Sequence, residues 1–112
     1  MTLDDLEPHE RLALAGLVRA MTRQDGVVSA EEASAVTRLA NAVGAKEFWL
    51  AMNEAQRTLP DPGDVSKAAE KVTRPEVRRW MYETLEELAG ADELVVAEEA
   101  LLHWLVRVWS LE

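Results

Sequence analysis

One acidic phrase occurs twice in this chain, each time between segments whose apolar residues recur at helical spacing. The first copy reads Asp25-Gly26-Val27-Val28-Ser29-Ala30-Glu31-Glu32, the second Asp92-Glu93-Leu94-Val95-Val96-Ala97-Glu98-Glu99. Asp, Val, Ala, Glu and Glu recur at matching positions, 67 residues apart. Asp-Gly is a turn former, and Ser29 with Glu32 makes the S-x-x-E box that satisfies backbone N–H groups where a helix starts. Each copy therefore reads as an elbow joining two helices. Two helix-elbow-helix units in 112 residues are too few for a solenoid. They predict one compact all-α bundle of about six helices, with repeat halves at about residues 8–44 and 75–110 packed together.

The rest of the chain agrees with that class, with no convincing period-2 stretch. A first helix is expected from Pro8, a residue suited to the first turn, with Leu14, Leu17, Val18 and Met21 as its buried stripe. A second should bury Ala33, Val36, Leu39, Ala40 and Val43 and stop at Gly44. A third, from about Lys46 to Arg57, buries Phe48 or Trp49 together with Met52 and Ala55. After the Pro-rich loop Leu59–Asp64, Asp64 is expected to cap a short helix running through Lys71. Pro75 opens a fifth, with Val77, Met81, Leu85 and Leu88 on one face. A last helix carries Leu101, Leu102, Leu105, Val108 and Trp109.

Composition excludes several functions. Without cysteine there are no disulfides, thiolate nucleophiles or zinc fingers, which fits a reducing compartment. No apolar run approaches the roughly 20 residues needed to span a bilayer. The acidic start, Met-Thr-Leu-Asp-Asp-Leu-Glu, is unlike a signal peptide, so a cytoplasmic protein is expected. Twelve Lys+Arg against 21 Asp+Glu give a formal charge of -9. Nucleic acid and anionic membrane surfaces are thereby disfavoured, and cations or basic protein surfaces are the natural partners.

At these residues the chain resembles the TerB-like family, whose motif is an amphipathic helix running into Asp-Gly-x-hydrophobic-Ser and then a helix with an acidic opening. Here Gln24-Asp25-Gly26-Val27-Val28-Ser29-Ala30-Glu31-Glu32 carries it, and Ala91 to Glu99 carries a second copy in which Glu93 replaces the glycine and Val96 the serine. The resemblance covers roughly Pro8 to Trp109. It implies an all-α fold, a link to tellurite resistance and stress responses, and binding of divalent metal or protein partners rather than catalysis.

If the elbows face one another, Asp25, Glu32, Asp92 and Glu99 form a candidate metal site. Ca²⁺ and similar hard cations prefer six to eight oxygens, and a cation relieves the repulsion among gathered carboxylates. The candidate ions are Ca²⁺, Mg²⁺, Mn²⁺ and Zn²⁺. An EF-hand is excluded: counting from Asp25, its ligand positions fall on Val27, Ser29 and Val36, and counting from Asp92 on Leu94, Val96 and His103. Each acid also has a local role without metal, as turn former or as negative charge in a first helical turn. Both readings stand.

The remaining candidates are fewer. His103 lies one turn after Glu99, but one imidazole and one carboxylate do not make a transition-metal site. His9 falls in a helical N-terminal turn and is expected in solvent. There is no Gly-rich phosphate loop, HExxH pair or nucleophile constellation, so no enzyme is expected. Four tryptophans are many for this length; Trp80 and Trp104, off the main apolar lines, either complete the core between the two halves or are the candidate contacts for a protein partner or a second copy. Lys71, Arg74, Arg78 and Arg79 read as a solvated face. The function expected is a non-enzymatic binding module, with a purely structural adaptor as the alternative.

Overall fold

The chain runs from a short 3-10 turn at Leu3–Asp5 through six helices: α1 (Pro8–Thr22), α2 (Ala30–Val43), α3 (Ala45–Thr58), α4 (Pro62–Glu70), α5 (Pro75–Ala89) and α6 (Val96–Trp109). The computed structural model describes residues 2–22, 30–89 and 96–111, the side chains at 22, 30–32, 62, 89 and 96–98 excepted. Among the described residues there is no strand, and the fold is the expected all-α bundle. Both elbows, with the Ser29 capping box, lie outside the described residues. No described helix is long and apolar enough to cross a membrane.

α1 is the central helix. Every residue from Ala13 to Val18 is buried, and Met21 with them, so the helix is covered on all sides rather than along the expected stripe alone. It packs on α3 and α4 on one hand and on α5 and α6 on the other. Close approach is possible because of Gly16: a Cβ built there would stand 2.9 Å from Leu59 Cδ1 and 3.6 Å from both Val65 methyls. The missing side chain is what lets the α3–α4 connection and α4 settle onto α1.

α2 packs on α3 and α5, and α5 packs on α6. The α2–α3 joint is a single residue, Gly44, with φ +119, a backbone conformation open to glycine and strained for other residues. Its N–H closes the last turn of α2 on the Ala40 carbonyl at 3.0 Å, and its carbonyl accepts the Phe48 N–H at 2.9 Å, starting α3. So one glycine both ends one helix and begins the next.

Most expected core positions are buried: Val36, Ala40, Val43, Phe48, Ala55, Val77, Met81, Leu85, Leu88, Leu102, Leu105 and Trp109. One alternative is decided and two differences have local causes. Ala33 is exposed and Ala35 is buried instead, because α2 lies between α3 and α5 and turns a different edge inward. Phe48 takes the core place, leaving Trp49 outside with its ring edge-on to Phe48 at 5.1 Å. The cap of α4 is Asp61, not Asp64: Pro62 occupies the first turn, as its fixed φ favours, and Asp64 lies in the third position, where its carboxylate faces the Asp61 N–H at 3.4 Å. At the far end, the buried Trp109 indole donates to the Ala69 carbonyl at 2.8 Å, tying α6 to the last turn of α4.

Candidate functional site

The four carboxylates expected to share a cation fall on two sides of what the structure describes. Asp25 and Asp92 lie in residues 23–29 and 90–95, outside the described residues, and so does the side chain of Glu32 on α2. Glu99 is described, and it stands exposed near the start of α6. α2 and α6 have a common neighbour in α5. The end of α5 that leads into the second acidic segment, Thr84 to Leu88, borders Ala35, Arg38, Leu39 and Ala42 of α2, the helix that follows the first. Between them runs a groove of about 270 Å³, with Ala35, Leu39, Ala42 and Leu88 supplying apolar walls and Arg38 and Glu87 the charged ones. The Thr84 hydroxyl is satisfied by the Trp80 carbonyl at 2.8 Å.

The two tryptophans expected to meet a partner are both half-buried. Trp80 on α5 and Trp104 on α6 pack against the main core, as amphipathic rings do at the edge of a bundle. The exposed large apolar side chains among the described residues are instead Trp49, 44% exposed, and Leu50, 59% exposed, side by side on α3. Leu50 also lines a groove of about 200 Å³ against α1, shared with Pro8, Arg11, Leu12, Glu47, Ala51 and Glu54. Glu54 is paired with Arg57 one turn on. An exposed aromatic beside an exposed aliphatic residue was not singled out from sequence, because Phe48 and Trp49 competed for one core position and either could have taken it.

A third assembly was not expected at all. Glu10, in the first turn of α1, is 1% exposed. Its Oε1 accepts the Glu7 N–H at 2.8 Å, its Oε2 accepts Arg74 Nε–H at 2.9 Å, and Arg74 Nη2 also donates to Oε1. Arg74 Nη2 reaches the Asp5 carbonyl as well, at 3.0 Å. The Arg74 hydrogen bonds hold the Glu10 carboxyl below the usual carboxylate range against the opposing pull of burial, with the Glu7 amide helping. Arg74 in turn is held above its usual value by Glu10. Glu7, His9 and Glu10 offer ligand atoms within 4.8 Å of one another, and His9 Nδ1 lies 3.5 Å from Glu7 Oε2. Both oxygens of the one buried carboxylate already accept N–H donors, two of them from the Arg74 guanidinium, which competes with any cation for them.

Arg74 and its neighbour Arg78 also correct the expected solvated basic face. Arg78 Nε turns back to the Val72 carbonyl at 2.7 Å, and Arg74 spans α5 and α1. Only Lys71 and Arg79 of that run are exposed. The i, i+3 relation of Glu7 and Glu10 is a legible half of a capping box, but nothing local marks a partner 64 positions away. His103 is exposed on α6, one turn from exposed Glu99, with no third ligand-bearing side chain grouped with them among the described residues. In comparisons with protein families, with curated proteins and with solved structures, nothing matches this chain.

Proposed function

We propose that this chain is a non-enzymatic binding module of the TerB-like kind, serving a stress-response or tellurite-resistance role in the cytoplasm. It would act through a protein partner, with divalent cations at the two acidic segments as a second element. The observation that carries the binding reading is the Trp49–Leu50 pair, two large apolar side chains left in solvent on α3 while smaller ones are buried around them. Exposed tryptophan beside an aliphatic residue and a shallow groove is the composition of an interface anchor. The Asp25–Glu32 motif supports the family reading, and the all-α bundle is compatible with it.

The test uses substitutions that leave the core intact. Trp49→Ala and Leu50→Glu touch exposed positions, where changes usually move stability by no more than about 0.5 kcal/mol. Trp80→Ala and Trp104→Ala would open gaps against the core and so serve as stability controls. In affinity capture with the full chain as bait, the first pair should lose a specifically retained protein that the wild type keeps. Capture unaffected by either exposed substitution would remove the α3 surface from the reading.

A second reading has its own support. Glu99 stands exposed near a helix start, where negative charge is favoured without any ligand. In that case the acidic segments only stop and start helices, and the module is a structural adaptor.

A further inference from the structure

Residues 2–7 cross the start of α1 as a short segment of different character from the helices. Its regular structure is one 3-10 turn, Leu3–Asp5, closed by Asp5 N–H to the Thr2 carbonyl at 3.0 Å and Leu6 N–H to the Leu3 carbonyl at 3.1 Å. The Asp5 carboxylate accepts the Thr2 N–H at 2.9 Å. So short a turn has too few bonds to persist alone. What holds it to the bundle is a small set of attachments. Leu3 and Leu6 are buried in the common core. Arg11 Nε donates to the Leu3 carbonyl at 2.7 Å, Arg74 Nη2 donates to the Asp5 carbonyl, and Glu10 accepts the Glu7 N–H. Two of these three side-chain ties run through the Glu10–Arg74 pair, which also joins α1 to the start of α5.

We propose that residues 2–7 are a strap that opens as a unit while the six helices stay folded, with the Glu10–Arg74 pair as its latch. The Glu7 carbonyl accepts the Glu10 and Arg11 N–H groups that start α1, so the strap hinges at Glu7. Its other polar attachments are side chains reaching to backbone that can release without breaking a helical hydrogen bond. Its apolar attachments are two buried leucines, Leu3 and Leu6. Such a unit belongs at the low-stability end of a native structure, where sub-global opening occurs. Opening would bare the seats of Leu3 and Leu6 and free the acidic pair Asp4–Asp5. The Glu10 carboxyl, held ionised by Arg74, is the element on which closure depends.

Native-state hydrogen exchange in increasing urea tests this on the unaltered protein. The amides of Asp5, Leu6 and Glu7 should exchange through an opening insensitive to low denaturant, at least tenfold faster than those of Val18, Met81 and Leu85. Glu10→Gln and Arg74→Met should each raise exchange in the strap roughly tenfold or more, since a charge-assisted hydrogen bond is lost, while the strap opening stays insensitive to low denaturant. Strap amides that exchange only with global unfolding in the wild type would overturn the proposal. So would variants whose strap amides exchange at the wild-type rate. If either variant fails to fold, the wild-type denaturant dependence decides alone.

Discussion

Glu10 has a buried carboxylate whose charge is held by three N–H donors, so its protonation has a structural consequence. Its pKa is depressed in the fold, chiefly by the Arg74 hydrogen bonds. A depressed carboxylate adds stability that is fully present above its unfolded value, about 4.3 for glutamate, and is lost as pH falls through the folded value. The other titratable and charged groups around it are His9 on α1, Asp5 and Glu7 before it, and Arg74 and Glu76 at the start of α5. Between pH 5 and pH 3 the urea midpoint of the wild type should therefore fall more steeply than that of Glu10→Gln, which cannot make this titration. Parallel pH profiles would exclude Glu10 as a source of acid sensitivity. Gly44 is the other residue whose identity is dictated by geometry. With φ +119 it alone joins α2 to α3, and an added Cβ would also meet Glu47 Oε2 at 3.2 Å. Gly44→Ala should destabilise by about 1–3 kcal/mol, the range for a residue forced into a sparsely populated conformation. A urea midpoint within error of the wild type would mean that the joint can rearrange.

At the scale of the element, α1 decides how the other helices are placed. Gly16→Ala pits a gain in helix propensity of about 1 kcal/mol against moving Leu59 Cδ1, the free end of a flexible side chain, so the two nearly cancel. Gly16→Leu has no such escape, with Val65 also in the way, and should lower stability by about 1–3 kcal/mol or more through overpacking. Thermal unfolding of the two variants side by side checks this, and a leucine variant as stable as the alanine one would show that α4 is not closely seated. Helix positions were largely legible in the sequence because Pro8, Pro75 and Gly44 mark ends and the stripe of α5 keeps strict spacing. The centrality of α1 was also there to be read, in the unbroken apolar run Leu12-Ala13-Leu14-Ala15-Gly16-Leu17-Val18. A stripe of four residues under-reads a run that has no polar face. Which of Phe48 and Trp49 turns inward was not legible, since adjacent residues on a helix differ only by rotation and the neighbour that settles it is distant in sequence. Glu10 and Arg74 were illegible for the same reason: a pairing across 64 positions leaves no local pattern.

At the scale of the whole molecule, a formal charge of -9 is carried by a body of radius of gyration 12.6 Å, so self-repulsion is part of its energetics. The arrangement of helices bears on where a cation could relieve it. α5 touches both α2 and α6, and Thr84 to Leu88 near its C-terminal end border Ala35 to Ala42 of α2. A cation bound by Asp25, Glu32, Asp92 and Glu99 would then stabilise the native state alone, by mass action. At 100 times its dissociation constant that amounts to about 2.7 kcal/mol. For a domain of this size the corresponding rise in melting temperature is roughly 10 °C. After treatment with EDTA, the protein should melt lower and recover on adding one of Ca²⁺, Mg²⁺, Mn²⁺ or Zn²⁺. Asp25→Asn and Asp92→Asn should each abolish the recovery while leaving helical circular dichroism intact. A general screening of negative charge would behave differently: it would follow ionic strength, appear equally with NaCl, and survive either substitution. If millimolar concentrations of all four ions leave the midpoint unmoved, the acidic segments are helix starts and stops, and the adaptor reading takes the place of the cation-binding one.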